Sequence, residues 1–264
     1  MKILTNLYPH GKVGAVTMSY DDGTGADRRL VEIFNKYGFK GTFHINGGRT
    51  GDRYIQPEEY VSLYAGHEVS CHTYYHHFPK SCPDTELIKE IMDDRLALEK
   101  ACGYTIRGMS YPFGEYSDHI IDVFRMCGMR YARTTVSTNS FGLPDDFMKW
   151  HPTTHHNGDL KKLFDTFIEA NSKYHRLNCL YIWGHSYEFD RENNWEKIEE
   201  FCDYAKGRDD IWYATNIEIY DYITALKNLF VSVDGTSVYN PSNISVWVYN
   251  GEPVEIKPGE NKLA

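Results

Sequence analysis

The sequence predicts an α/β fold in which seven parallel strands alternate with helices and close into a barrel. Short apolar runs recur through the first 230 residues, and segments with helical spacing lie between them. Apolar strands that alternate with helices are typical of a parallel sheet covered by those helices. After residue 229 the pattern changes to short alternating runs separated by turn residues, which predicts a small antiparallel β unit.

The predicted strands are short, apolar and separated by one helical segment each. Crossovers between parallel neighbours are expected to be right-handed, and a barrel is the natural closure for seven such steps. The strands are Val13–Tyr20, Gly41–Ile45, Glu68–Cys71, Gly108–Tyr111, Tyr131–Thr135, Leu180–Trp183 and Ile211–Ala214.

Three of the predicted helices carry recognisable ends. Two begin at a proline and stop at a glycine, which is the usual asymmetry of helix termini. The third follows a threonine and a glutamate spaced as a capping box. They cover residues 57–66, 83–102 and 217–229, and the capping box of the last is formed by Thr215 before it and Glu218 in its first turn.

We expect residues 1–230 to form the barrel domain and residues 231–264 to form a small β-hairpin appendage. Asn250-Gly251 between two apolar runs is a strong hairpin signal. A sheet this small is unstable alone, so it should pack on the barrel. The default role of this appendage is to cover the edge of the barrel. The alternatives are a sugar-binding rim and a dimer contact.

Composition excludes several classes of protein. The net charge of -9 and the lack of a basic stripe argue against nucleic-acid binding, because phosphate backbones attract clustered Lys and Arg. No stretch approaches the ~18 apolar residues of a membrane span, and the N-terminus lacks the apolar core of a secretory signal. The six scattered cysteines are typical of reduced thiols. We therefore expect a cytoplasmic protein without a membrane anchor; the sequence does not predict its oligomeric state.

Adjacent carboxylates follow the first predicted strand. Asp21 and Asp22 stand in the segment Ser-Tyr-Asp-Asp-Gly, at the strand end where α/β barrels carry catalytic groups. Neighbouring carboxylates repel each other, and a divalent cation would remove that repulsion by binding one and leaving the other free as a base. A solvated Asp-Asp-Gly turn is the alternative interpretation of this tripeptide alone.

Histidines spaced by four residues follow the third strand. His72 and His76 can converge on one ion, and with Asp22 they would form a site of two histidines and one aspartate. Three protein ligands leave a position open for water or substrate, as in catalytic metal sites. A pair of surface histidines is the alternative.

A further histidine, His185, follows the buried strand Leu180–Trp183 and should project into the barrel mouth. There it could protonate a leaving amine or alkoxide. A strand-end histidine that only packs and makes hydrogen bonds is the alternative. The group His151, His155 and His156 could line the same groove or form a solvated loop.

Together these segments resemble the polysaccharide deacetylase (NodB homology) family, which is carbohydrate esterase family four. The resemblance rests on the order Tyr-Asp-Asp-Gly, then His-Thr-x-x-His about fifty residues later, then Tyr-Pro-Phe-Gly, and extends from about Val13 to Leu229. It implies a distorted (β/α)7 barrel. It also implies a divalent metal ion, with Zn2+ favoured and Co2+, Mn2+ or Ni2+ as alternatives.

The resemblance implies a role for each matching residue. Asp21 would be the general base, Asp22, His72 and His76 the metal ligands, and His185 the general acid. The segment that begins at Tyr111 would form one wall of the groove, with Tyr111 and Phe113 in contact with substrate, and the backbone N–H of Phe113 would help bind the oxyanion.

Two positions depart from the family pattern. Ser110 stands where the family usually has an arginine that pairs with the catalytic base, and Arg133 is a candidate to replace it. The later Asp/Trp motif is only loosely matched by Asp146 and by Trp150, which is a candidate for substrate binding.

The function predicted from the sequence is metal-dependent hydrolysis of an N- or O-linked acetyl group on a carbohydrate. The partner is therefore an acetylated carbohydrate, with no nucleic acid and no membrane. One alternative is a hydrolase of another amide, including cyclic amides, on the same barrel. The other is a carbohydrate-binding protein without turnover, which the missing arginine favours. A serine hydrolase is disfavoured because no G-x-S-x-G segment is present.

Overall fold

A curled parallel sheet forms the centre of the structure, a computed structural model that describes residues 3–174 and 176–263. All seven predicted strands are present, and the distorted (β/α)7 barrel is confirmed. The spatial order is β5-β4-β3-β2-β1-β7-β6, with β8 beside β1. The strands are β1 Gly14–Asp21, β2 Gly41–Ile45, β3 Glu68–Cys71, β4 Gly108–Ser110, β5 Tyr131–Arg133, β6 Thr154–His155, β7 Asn178–His185 and β8 Ile211–Tyr213.

Strand β1 is the central strand of the sheet. It pairs with β7 along its whole length, while its other edge pairs first with β8 and then with β2. All eight residues of β1 are buried, as expected for a parallel strand enclosed on both faces. Its last residue, Asp21, is therefore held in a rigid position at the carboxyl end of the sheet.

The sheet closes between β5 and β7 through residues 150–155. Trp150 pairs with Arg133 at the end of β5, and the two-residue strand β6 then pairs with Ile182 and Trp183 of β7. A short crossing segment thus replaces a full strand here, which distorts the barrel. The sequence did not predict β6, because two residues are too few for an alternating pattern.

Helices pack outside the sheet, and their ends follow the predicted signals. Gly103 ends α3 in a left-handed conformation with φ of 77°, and the Thr215–Glu218 capping box begins α8. The predicted helix 57–66 is shorter, with a 3-10 turn at Pro57–Glu59 before α2. The helices are α1 Asp27–Tyr37, α2 Tyr60–Leu63, α3 Asp84–Cys102, α4 Asp118–Met126, α5 Leu160–Tyr174, α6 Tyr187–Glu192, α7 Trp195–Ala205 and α8 Asn216–Lys227.

Two small antiparallel sheets follow α8. The hairpin predicted at Asn250-Gly251 is present between β11 and β12, whereas β13 was not predicted. Four fully buried side chains of these sheets, Val238, Val246, Val248 and Ile256, share an apolar cluster with Tyr222 of α8 and Tyr8. The strands are β9 Phe230–Val231, β10 Ser237–Asn240, β11 Val246–Tyr249, β12 Pro253–Ile256 and β13 Gly259–Lys262.

Across the described residues, none of the helices combines the length and the apolar character that crossing a membrane requires.

Candidate active site

The polar side chains singled out in the sequence meet at the carboxyl ends of the strands. This is the face on which α/β barrels assemble catalytic groups from separate strands. Five strands contribute, in the residues Asp21 and Asp22 (β1), His72 and His76 (β3), Ser110 (β4), Arg133 (β5) and His185 (β7).

Asp22, His72 and His76 lie together. Each offers one ligand atom, and these atoms lie within 4.8 Å of one another. Nε2 of His76 is 3.9 Å from Oδ1 of Asp22, and the two imidazole rings are 4.7 Å apart between centroids. Burial is the main cause that lowers the pKa of both histidines, which favours the neutral form that binds metals. Two imidazoles and one carboxylate suit a divalent cation such as Zn2+.

His72 is held from both sides. Its ring Nδ1 lies 3.0 Å from the carbonyl oxygen of Ser110, which leaves Nε2 for a ligand. Its backbone N–H donates to Oδ2 of Asp94 at 2.9 Å. Asp94 was not identified from the sequence, although it lies on the buried face of α3 together with Ile91 and Leu98. A carboxylate on an apolar helix face was the signal that could have found it.

The loops of the site carry unusual backbone conformations. Four residues other than glycine have positive φ here: 78° at Asp22, 60° at Thr73, 63° at His76 and 57° at Phe113. Such conformations cost free energy and persist where surrounding contacts enforce them, often at functional sites. Nδ2 of Asn46 supplies one such contact by donating to the carbonyl oxygens of His72 and Thr73 at 2.6 and 2.7 Å.

Asp21 is buried beside this group and is paired. Nη2 of Arg133 donates to Oδ2 of Asp21, and the Ser110 hydroxyl donates to Oδ1 at 3.0 Å. Burial alone would raise the pKa of Asp21, but the charge of Arg133 together with those of His72, His44 and His185 outweighs it and holds that pKa far below its usual value. Asp21 is therefore an anion at neutral pH. The Arg133 guanidinium also lies over the Trp183 ring, 4.5 Å from its centroid.

His185 faces the site from the end of β7. Its Nδ1 is 3.4 Å from Oε2 of Glu188, one helical turn later. Burial favours a lower pKa, but the Glu188 carboxylate and the charges of Asp21 and Asp22 outweigh it and raise the pKa of His185. Glu188 was not identified from the sequence, where the i, i+3 spacing from His185 was the available signal.

The later histidines are not a solvated loop. His155 lies in β6 with its Nε2 3.0 Å from Oε2 of Glu188, and its side chain is 25% exposed. His156 is buried, and burial lowers its pKa to about 3. His151 lies further off, with Nδ1 2.6 Å from the Thr134 hydroxyl.

A buried carboxylate, Asp27, lies beneath the site at the start of α1. Tyr64 donates to its Oδ2 at 2.8 Å, and Ser186, the residue after His185, donates to its Oδ1. Ser186 also contacts the Thr24 hydroxyl at 3.2 Å. Asp27 thus ties the loop after β1 to the loop after β7. Burial raises the pKa of Asp27 to about 7.

Comparison with known proteins supports the family resemblance. Residues 10–132 match the model of the polysaccharide deacetylase family. The matched range contains Asp21, Asp22, His72 and His76 and ends just before Arg133. None of the curated proteins matches the chain.

Solved structures of deacetylases and related enzymes share the fold. A Mycobacterium smegmatis protein described as a polysaccharide deacetylase has a TM-score of 0.65 at 19% identity, covering 83% of this chain and 93% of its own. PuuE allantoinase has a TM-score of 0.65 at 15% identity, covering 82% and 92%. A family 4 acetyl xylan esterase from Clostridium thermocellum, solved with a cobalt ion, has a TM-score of 0.55 at 17% identity, covering 78% and 90%.

The departure from the polysaccharide deacetylase pattern at Ser110 is compensated. The guanidinium that the resemblance implies at position 110 is absent, and Arg133 at the end of β5 pairs with Asp21 instead. Ser110 keeps contact with the same carboxylate through its hydroxyl. Asp21 therefore still forms an ion pair with an arginine, which comes from β5 and not from β4.

Two residues expected to contact substrate are buried instead. Tyr111 is 1% exposed and donates its hydroxyl to the carbonyl of Met148, and Trp150 is 1% exposed between the rings of Tyr131 and Tyr181. Both side chains support the barrel wall, so their assignment to substrate binding is corrected. Phe113 is 49% exposed, and its ring lies 4.4 Å from that of His76.

Proposed function

We propose that this protein is a metal-dependent hydrolase that removes an N- or O-linked acetyl group from a carbohydrate. The observation that carries the proposal is the convergence of Asp22, His72 and His76 beside Asp21, which is ionised and paired with Arg133. A ligand set of three with an open position is the arrangement of catalytic metal sites. The family match supports the reaction class.

Asp22, His72 and His76 would hold the divalent ion, which we expect to be Zn2+, with Co2+, Mn2+ or Ni2+ as alternatives. A bound divalent cation supplies a Lewis acid for the acetyl carbonyl and lowers the pKa of water. The ligand atoms are close enough to converge, and the Ser110 carbonyl already orients the His72 ring. The Nη1 atom of Arg49 lies 3.4 Å from Oδ1 of Asp22, so Arg49 partly balances the negative charge of that carboxylate.

Asp21 is assigned the general base. Its charge is fixed by Arg133 and Ser110, so it can accept a proton from the attacking water while its orientation stays constant. The backbone N–H of Phe113 is assigned to the oxyanion, in a loop whose left-handed φ of 57° sets the direction of that peptide group. In both assignments a group of fixed orientation, the Asp21 carboxylate or the Phe113 N–H, acts on an atom whose charge changes in the transition state.

His185 is assigned the general acid. Its raised pKa favours the protonated imidazolium, which can donate to the departing nitrogen or oxygen of the sugar. Glu188 contacts the ring at Nδ1 through Oε2 and holds its orientation. His185 is 22% exposed at the side chain, so a substrate can reach it.

Exposed aromatic rings beside the ligand group support a sugar substrate. Phe78 and Phe113 stack in parallel with centroids 3.6 Å apart, and both are about half exposed. Flat rings match the apolar C–H faces of sugars. Phe113 lies against His76, with ring centroids 4.4 Å apart, so a sugar in contact with Phe113 would have its substituents close to the ligand group.

Two rival functions remain testable. A binding protein without turnover was favoured by the missing arginine, and the Arg133–Asp21 pair removes that argument. Hydrolysis of another amide is the second, since the barrel is as similar in fold to PuuE allantoinase as to the Mycobacterium smegmatis protein. The residues described above serve either hydrolysis, so the substrate must be decided by assay.

The deciding experiment combines elemental analysis with acetate release from a panel of N- and O-acetylated oligosaccharides, run beside cyclic imides and ureides. We expect one divalent ion per chain and acetate release from at least one sugar. His72→Ala should lose both metal and activity. Turnover of the cyclic substrates alone would replace the proposal with the amide alternative, and metal-free binding of sugar without turnover would replace it with the binding alternative.

A further inference from the structure

A second group of histidines surrounds one carboxylate oxygen next to the site. Oε2 of Glu188 lies 3.0 Å from Nε2 of His155, 3.3 Å from Nε2 of His156 and 3.4 Å from Nδ1 of His185. The other oxygen, Oε1, faces Arg191 at 3.2 Å. Three imidazole nitrogens and a carboxylate oxygen gathered in this way would be stabilised by a positive charge among them.

The spacing of these atoms suits a metal ion. The ligand atoms of His155, His185 and Glu188 lie within 4.8 Å of one another, the same limit that Asp22, His72 and His76 satisfy. Metal–ligand bonds of about 2.0–2.1 Å at tetrahedral angles place ligand atoms about 3.3 Å apart. The contacts of 3.0 and 3.4 Å to Glu188 therefore need only small adjustments. The three side chains are 25%, 22% and 11% exposed, so an ion can enter.

His156 provides an independent observation. It is 1% exposed, and within the part of the chain that the structure describes neither of its ring nitrogens makes a hydrogen bond. Its ring is fixed by stacking between Tyr20 and Phe189, with Nε2 directed at the Glu188 oxygen. Leaving a buried polar group unpaired costs free energy, which a nearby cation would offset.

We propose that His155, His185 and Glu188 form a second divalent-metal site, filled at higher metal concentration than the first, with His156 aimed at the same oxygen. An ion on Nδ1 of His185 occupies the lone pair that must carry a proton in the imidazolium form. Filling the second site would then remove the general acid, and excess metal would inhibit the enzyme. The inhibition rests on the proposed function, whereas the binding does not.

The test measures Zn2+ stoichiometry by elemental analysis after equilibration at rising free Zn2+. Wild type should bind one ion at low and two at high concentration. His155→Ala and Glu188→Gln should each bind only one, and His72→Ala should keep the weaker ion alone. Thermal unfolding checks that each variant is folded. If only one of His155→Ala and Glu188→Gln folds, that variant alone is enough to test the second site.

His77→Ala is the matched control, because His77, Glu86 and Glu90 form another histidine–carboxylate group within the described residues. This variant should still bind two ions. A wild type that never binds a second ion, or a second ion that survives in His155→Ala and disappears in His77→Ala, would overturn the proposal. Both results are read without an activity assay, so they are independent of the substrate.

Activity gives the second measurement. With any substrate that wild type hydrolyses, excess Zn2+ should lower the rate, approaching the ~10²–10⁴-fold worth of a general acid at saturation. His155→Ala should lose this inhibition and keep its dependence on the first ion. Equal inhibition of wild type and His155→Ala would contradict the assignment of the second ion to this site.

Discussion

Arg133 donates a hydrogen bond from Nη2 to Oδ2 of Asp21, and the two side chains are buried together at the ends of β5 and β1. The Ser110 hydroxyl holds the other carboxylate oxygen. This ion pair fixes the charge and the direction of the residue assigned as base. It connects the stability of the barrel with its proposed chemistry.

Arg133→Met should therefore destabilise the protein strongly, by about 3–5 kcal/mol at neutral pH, because it leaves a buried carboxylate without its partner. Urea unfolding measures the effect. Asp21 has a lowered pKa in the folded state, so its pairing adds stability above the unfolded pKa of about 3.9, and this contribution is lost as the pH falls. The deficit of the variant should shrink in acid.

Arg107→Met is the matched control for that experiment. Arg107 pairs with Asp221 at 2.7 Å, but both side chains are more than a third exposed. An exposed pair is worth only about 0–1 kcal/mol. Equal losses of unfolding free energy in the two variants would show that the buried pair contributes no more to stability than the exposed pair.

Asp21→Asn should keep the metal and lose catalysis, by about 10²–10⁴-fold, since the amide cannot accept the proton. Elemental analysis and acetate release on the same preparation separate the two effects. Asp118→Asn, at a position that is largely exposed, controls for the substitution itself. Full activity in Asp21→Asn would remove Asp21 from the mechanism.

Asp27→Asn should change the pH dependence of stability. The pKa of Asp27 is raised to about 7 in the folded protein, so its contribution is complete below the unfolded pKa and is lost as the pH rises to about 7. Over that interval the free energy of unfolding of wild type should fall by up to about 1.4 kcal/mol more per pH unit than that of the variant. Parallel curves of unfolding free energy against pH would refute this.

Deletion of residues 232–264 should lower the melting temperature and the solubility more than the rate per folded molecule. The deletion removes four fully buried apolar side chains, Val238, Val246, Val248 and Ile256, that pack against the barrel. Differential scanning calorimetry and a rate normalised to folded protein test this. An unchanged melting temperature would count against the cover role.

The sequence predicted those parts of the structure that local patterns determine. Strands β2 and β3 have the bounds that their apolar runs indicated, and Asp22, His72 and His76 meet because parallel strands end on one face. Trp150 was misassigned, since a motif position does not tell whether a side chain points into the groove or into the wall.

Contacts between distant segments could not be predicted in the same way. Arg133 was only a candidate, because its contact with Asp21 spans 112 positions and depends on how β4 and β5 pair. Glu188 was missed because its contacts with His155 and His156 arise where the barrel closes through β6. These contacts form only once the sheet has closed, so no local sequence pattern indicates them.

The most direct test is a crystal structure of the protein with one equivalent of Zn2+, with the ion located by anomalous scattering. We expect it bound to Asp22, His72 and His76 at about 2.0–2.2 Å. Asp21 should remain outside the coordination sphere and paired with Arg133. An ion bound to Asp21, or one held first by His155, His185 and Glu188, would contradict the account.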